Sequence, residues 1–206
     1  NETLLAERGY DRPPETFEEV IEYARNLTYT RDDGTQVHGI IWGGTGPSNL
    51  IDVIRVFGGD FITEDFEVVA NEQGMVDAVT LLVDFYEEGV LPQIFVNFTT
   101  EDAITFMQQG RAAMAITPFG RNRQFNDPEQ SKFPGEIDVT ATPSFSDTDH
   151  VAAAKTEFWA LAIPRNADNK ELAWSLIKHL STEDAAVRAA INGNGPVRAT
   201  AYQDPR

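Results

Sequence analysis

The chain has 206 residues, enough for one good core or two small ones, and its 41% hydrophobic and 24% charged content is ordinary for a globular protein. Its 33 acidic against 16 basic residues give a formal net charge of −17, a field that repels a phosphate backbone and makes nucleic acid a poor partner. With no cysteine, disulfides, zinc thiolate sites and cysteine nucleophiles are excluded.

No stretch approaches the roughly 18 uninterrupted apolar residues of a membrane-spanning helix. The chain opens at Asn1 without Met or a charged-then-apolar leader, and is read as a processed or excised piece of something longer. Asn1 to Gly9 reads as a short helix closed by glycine, and Arg12-Pro13-Pro14 forces an extended linker. Thr16-Phe17-Glu18-Glu19 is a capping box. Phe17, Val20, Ile21, Ala24 and Leu27 follow at helical spacing, which predicts an amphipathic helix from Thr16 to Asn26. After a turn at Arg31 to Thr35, Gly39 to Trp42 reads as a buried strand that runs into the loop Gly43 to Ser48 and then a helix, Asn49 to Phe57. That loop lacks both the lysine of G-x-x-x-x-G-K-[ST] and the spacing of G-x-G-x-x-G, which argues against a phosphate cradle. Its glycines instead let backbone amides approach a neutral polar ligand, with Trp42 beside it.

Gly58-Gly59-Asp60 breaks the helix, and a polar hairpin-like segment spans Phe61 to Val69. A long helix is predicted from Gly74 to Glu88, with Val76, Val79, Leu82, Val83 and Tyr86 as its core-facing stripe. Thr99 with Asp102 starts the next helix and Gly110 stops it. Ala112 to Ile116 is a short apolar run without alternation, as in a strand covered on both faces in a parallel sheet. Ligands of open α/β sheets sit beyond the carboxyl ends of the strands, so the loop from Thr117-Pro118 makes Phe119 and Arg121 candidate ligand contacts. The alternative is that Phe119 is core and Arg121 a solvated charge.

Asn122 to Gly135 reads as a loop, Ile137 to Ala141 as a strand with period-two alternation, and Ala160 to Ile163 as a second buried strand. Asn169 to Leu180 is predicted as a helix with Leu172, Ala173, Leu176, Ile177 and Leu180 inward and Trp174 in the core. Thr182 to Ile191 is a second helix, and the tail is too short for another unit. His38, His150 and His179 stand in unrelated contexts, and neither H-E-x-x-H nor G-x-S-x-G occurs. No enzyme activity, metal or cofactor is expected.

Six stretches together carry a resemblance: NETLLAERGYDRPPETFEEVIEYARNL, FGGDFITEDFEVV, LLVDFYEEGVLP, FMQQGRAAMAITPFG, FWALAIPRNADNKELAWSLIKHLSTED and GNGPVRATAYQDP. In this order and spacing the chain resembles the extracellular solute-binding proteins of bacterial ABC importers, the group that includes maltose-binding protein. The resemblance implies an α/β fold, a type II periplasmic-binding-protein-like lobe with a mixed sheet flanked by helices. It also implies that the chain is incomplete: residues 1–157 correspond to the second lobe of a two-lobe protein, and 158–206 to a segment returning towards the first. Such a piece is expected to expose apolar surface from Phe158 onward.

Family members hold sugars with aromatic faces on the ring and polar groups around its hydroxyls. The residues implied as ligand contacts are Trp42, Ser48, Asn49, Phe119, Arg121, Glu157, Phe158, Trp159 and Arg198. Phe119 stands where the family often has a tryptophan, which weakens the expectation of a strong stacking platform. Trp159 reads equally as core, and Arg198 as the cap of a helix end. The implied partners are a small solute, a carbohydrate above all, and ABC permease subunits. The implied location is extracytoplasmic, in the periplasm or on the outer face of the membrane, where a lipid anchor is one way of holding the full-length protein. A ligand-sensing domain of the same fold and, further off, a hydrolase are the alternatives.

Overall fold

The computed structural model describes residues 1–148, 152, 155 and 159–206, and the chain divides into two compact units, Asn1–Lys155 and Thr156–Arg206. In the first, α1 (Glu2–Glu7) is capped by the Asn1 side chain and α2 (Phe17–Asn26) by that of Thr16. Thr16 accepts from Glu19 N, whereas the Glu19 carboxylate pairs with Arg12 at 2.7 Å and accepts from Glu15 N at 2.8 Å. The cap therefore also ties down the proline linker. The sheet has three strands in the order β1 (Tyr29–Thr30), β2 (Gln36–Trp42), β3 (Ala112–Ile116). β1 and β2 form a hairpin around the Arg31–Thr35 turn, and β2 and β3 pair in parallel with Ile40 opposite Met114 and Trp42 opposite Ile116. β2 starts three residues before the predicted Gly39, because the polar residues Gln36 and His38 occupy its outer positions.

α2 lies directly on β2. A Cβ on Gly39 would stand 1.7 Å from the Ala24 carbonyl oxygen, so glycine is what permits this approach. The Thr28 hydroxyl fastens the contact, donating to Ala24 O at 2.7 Å and accepting from Gly39 N at 3.0 Å. Leu4, Phe17, Leu27, Val37, Ile41 and Phe85 are among the core side chains.

α3 (Pro47–Val56) starts from Gly46 with proline in its first turn. The hairpin-like segment is present as a single antiparallel bridge, Ile62 to Val68. α4 (Gln73–Glu87) buries Met75, Ala78, Leu81, Leu82 and Phe85, whereas Val76, Val79 and Val83 of the predicted stripe are about half exposed. This helix carries two overlapping apolar stripes. Packing of Met75 and Ala78 against Ile51 and Ile54 of α3 selects the one that turns inward. α5 (Thr100–Gln108) starts from the full Thr99–Asp102 capping box, and Gly110 follows it at φ 66°. Beyond β3, Asn122–Phe125 forms a short helix, α6, within the segment predicted as loop. Residues 137–141 are not a strand: no backbone ladder forms beside them.

The second unit holds α7 (Lys170–Leu180), α8 (Glu183–Ile191) and a 3₁₀ turn at Ala199–Tyr202, with a small core of Ala186, Val187 and Ala201. Residues 160–163 form no strand, and α7 buries none of its residues. Leu172, Trp174, Leu176 and Leu180, predicted inward or core, are at least half exposed, because among the described residues of this unit no layer covers that face. The expected apolar surface beyond Phe158 is present in Leu161 and these residues.

The Asn1 ammonium donates to Ala113 O at 2.9 Å, and burial pulls its pKa from 8.0 down to about 6, against the raising influence of Glu2 and Asp138. The folded chain therefore resists a proton that the unfolded chain accepts, and stability rises with pH. The penalty is full below about pH 6, disappears above about pH 8, and amounts to about 2–3 kcal/mol. Burial lowers the His38 pKa as well, which acts in the same direction at lower pH. Urea midpoints of the 206-residue chain should climb across this window. Acetylation of Asn1 should flatten the climb, leaving only the histidine contribution.

Candidate functional site

Parallel pairing of β2 and β3 sets their carboxyl ends side by side, and the loops that leave them form the candidate site. Gly43 N donates to Ile116 O at 3.2 Å, and the Thr100 hydroxyl donates to Gly43 O at 3.1 Å. A Cβ on Gly43 would meet Thr117 Oγ1 at 3.2 Å and Asn49 Oδ1 at 3.5 Å. One on Gly44, whose φ is 140°, would meet Asn49 Nδ2 at 2.9 Å and Phe98 O at 3.3 Å. The two glycines thus let the Asn49 amide and the Thr117 hydroxyl close over the backbone at one point.

Gly46, Pro47 and Ser48 are exposed at the amino end of α3, which no side chain caps and whose first turn holds no acidic residue. The Ser48 carbonyl accepts from the Lys155 ammonium, which also stands 3.9 Å from Asp52 Oδ2. After β3, Pro118 leads into a 3₁₀ turn, Phe119–Arg121. The Phe119 ring is 65% exposed, and Arg121 Nη1 donates to Gln124 Oε1 at 3.0 Å. Thr117, Pro118 and Phe119 also line a cleft of about 440 Å³ that runs along β3 as far as Asn1.

Asn49, Phe119 and Arg121 therefore belong to two loops that meet, with Ser48 on the rim. Trp42 does not join them: its side chain is 0% exposed and packs edge-on to Phe95 in the core. As the last residue of a strand covered on both faces it points into the fold, so the expectation of Trp42 as a ligand face is corrected. Its indole Nε1 is buried with no hydrogen-bond partner among the described residues. In the second unit, Trp159 is 95% exposed, and Arg198 Nε donates to Ser181 O at 2.8 Å, capping the carboxyl end of α7. Glu157 and Phe158 lie outside the described residues. Thr100 and Thr117 were missed in the sequence. The signal available for Thr117 was its place as the first residue beyond a buried strand, whereas Thr100 reaches the site only through the packing of α5.

Neither Gly43–Asn49 nor Thr117–Asn122 contains an Asp, Glu or His. Amides, hydroxyls, one aromatic face and one guanidinium can bind a neutral polar molecule, but they hold no general acid or base. Among the described residues, no group of three or more His, Asp or Glu side chains is placed to hold a metal ion.

The sequence pattern of the bacterial extracellular solute-binding proteins matches residues 1–187. The chain belongs to this family. Its fold is similar to that of T. maritima MalE3 with maltose bound, at 28% identity and a TM-score of 0.82, over 99% of this chain and 52% of that one. An ABC transporter solute-binding protein from Agrobacterium radiobacter K84, in complex with ribitol, shares the fold at 23% identity and a TM-score of 0.78, over 95% of this chain and 49% of that one. A probable ABC transporter-binding protein of Deinococcus radiodurans is 25% identical over 212 residues, which cover 98% of this chain and 49% of that protein. This solute-binding-protein chain thus spans about half the length of the relatives it matches. The α/β periplasmic-binding-protein fold expected from the resemblance is the one observed.

Proposed function

We propose that the chain is the second lobe (residues 1–157), with a segment returning towards the first (158–206), of the substrate-binding component of an ABC importer, which captures a small neutral solute, a carbohydrate or polyol, and hands it to permease subunits. The observation that carries this reading is the pair of loops at the ends of β2 and β3, which present Asn49, Thr117 and an exposed Phe119 and contain no ionisable group other than Arg121. A sugar offers an apolar C–H face to an aromatic ring and hydroxyls to amides and threonines, so this set matches it group for group. Relatives whose structures contain maltose, ribitol and D-mannitol support the same ligand class. Within this reading Ser48, Asn49, Phe119 and Arg121 contact the solute, and in the second unit the exposed ring of Trp159 is, by itself, an aromatic face of the kind a sugar stacks on. Capture takes place outside the cytoplasmic membrane, without covalent chemistry, by closure of two lobes about a hinge. A lipid anchor would keep the protein beside its permease.

The test is a thermal-shift and calorimetric screen of a protein carrying this chain with a complete partner lobe, against maltose, D-mannitol, ribitol, amino acids and polyamines. One sugar or polyol class should raise the melting temperature saturably. Phe119→Ala should weaken that ligand about tenfold while leaving the unliganded melting temperature unchanged, as a 65% exposed ring has little packing to lose. A response to amino acids or polyamines alone would overturn the proposal.

A further inference from the structure

Three pairs in the chain place a side-chain carbonyl directly before glycine, the arrangement from which a succinimide forms spontaneously: Asp33-Gly34, Asn192-Gly193 and Asn194-Gly195. In each pair the attacking atom is the glycine backbone nitrogen, and glycine has no side chain to shield it. The reaction starts when that nitrogen gives up its proton and reaches the Cγ of the residue before it. A hydrogen bond from the N–H opposes both steps, since it must break before the peptide plane can turn. The fold treats the three pairs differently.

Gly34 N donates to Arg31 O at 2.9 Å in the turn between β1 and β2. The Asp33 carboxylate accepts from Thr35 N at 2.8 Å, a bond that holds its pKa below the ordinary carboxylate range, so it stays ionised and is a poor electrophile. Gly193 N donates to Ala190 O at 2.9 Å and closes the carboxyl end of α8 at a φ of 78°. Gly195 is the exception. Its N–H has no acceptor among the described residues, and a Cβ built on it would meet Tyr202 Oη only at 3.8 Å. The Asn194 side chain is exposed and makes no hydrogen bond among the described residues. Only the backbone N–H of Asn194 is held, by Ala189 O at 2.9 Å.

We propose that Asn194 is a modification site, where the folded chain deamidates at Asn194-Gly195 while it protects Asn192. Gly195 N bonds to Asn194 Cγ, the Cγ–Nδ2 bond breaks, and the Gly195 amide proton leaves with Nδ2 as ammonia. Water then adds across either C–N bond of the cyclic imide and gives aspartate or isoaspartate. Both products place a new negative charge just beyond the carboxyl end of α8, where the helix dipole disfavours it. Isoaspartate also adds a carbon to the main chain between two fixed points. One is the Asn194 N–H on Ala189 O, and the other is Pro196 O, which accepts from Tyr202 Oη at 3.0 Å. These bonds set the span of the loop from α8 to the 3₁₀ turn, so the product loosens the packing of Ala201 on Ala186 and Val187. The modification is independent of which solute the loops of the first unit bind.

The experiment incubates the 206-residue chain in mildly alkaline buffer and follows each site by peptide mapping with mass spectrometry, isoaspartate being read by methyltransferase labelling. In the folded chain Asn194 should convert at least about fivefold faster than Asn192, because only the latter reaction waits for a backbone bond to open. In urea, where that bond is gone, the two asparagines should convert at similar rates. Gly195→Ala should slow conversion at Asn194 and leave Asn192 unchanged. The aged chain should melt at a lower temperature than an equally aged Asn194→Gln variant. Equal rates in the folded chain, or a faster Asn192, would overturn the proposal. So would a preference for Asn194 that persists in urea, which would place the selectivity in the local sequence rather than in the fold.

Discussion

Replacing Gly39 with alanine is expected to cost the first unit at least about 3 kcal/mol, or to prevent its folding. The added Cβ would lie 1.7 Å from Ala24 O and 2.4 Å from the Ala24 carbonyl carbon. Both are backbone atoms of α2, so no rotamer change can make room, and the helix must lift off the sheet. Lifting it also breaks the Thr28 hydroxyl bridge, which holds Ala24 O at 2.7 Å and Gly39 N at 3.0 Å. It opens the contacts of Phe17, Val20 and Ala24, all buried in the main core. Gly34→Ala makes a useful contrast. That glycine has nothing within 4 Å of its missing Cβ, so the change strains only a φ of 83° and should cost about 1 kcal/mol. Urea unfolding of the two variants should separate them clearly. A Gly39→Ala protein with a near-native midpoint would mean that α2 does not lie on β2 as described.

Trp42→Ala should destabilise the chain by about 3–5 kcal/mol, the range for emptying a fully buried aromatic site. The ring is 0% exposed and contacts Phe95 with centroids 6.3 Å apart. Any loss of ligand binding in this variant would therefore follow from a damaged fold rather than a missing contact. Trp42→Phe separates the two effects. It keeps most of the packing and removes the Nε1 donor, which has no partner among the described residues, so it should cost much less than the alanine change. If Trp42→Phe abolished solute binding at unchanged stability, the ring would be a ligand contact after all.

Where local chemistry alone fixes an outcome, the amino-acid order was legible. The Thr99–Asp102 box starts α5, Gly110 ends it at positive φ, and the small apolar run Ala112–Ile116 is a strand paired in parallel. Each depends on groups a few residues apart. The same holds for the placement of Asn49, Phe119 and Arg121 just beyond strand ends, since a strand's direction settles which loop leaves its carboxyl end. The family assignment was legible too, because it rests on the order of many such segments rather than on one.

What sequence could not decide were choices between local solutions of nearly equal merit. α4 has two apolar stripes, and only the position of Ile51 and Ile54 on α3 determines that Met75 and Ala78 go inside while Val76 and Val79 stay out. Trp42 carries the same side chain whether it stacks on a ligand or fills a core. The cover that Phe95 and the surrounding helices place over β2 makes it core. Residues 137–141 alternate as a strand should, yet a strand is a relation between two backbones, and their neighbouring position is a cleft. α7 shows the same rule for helices. Its periodic leucines specify a face to be buried, but burial requires a second surface, and among the described residues of its own unit none covers that face. Caps, turns and periodicity are properties of one segment and can be read from it. Facing, pairing and burial are properties of two, and only the assembled fold supplies the second.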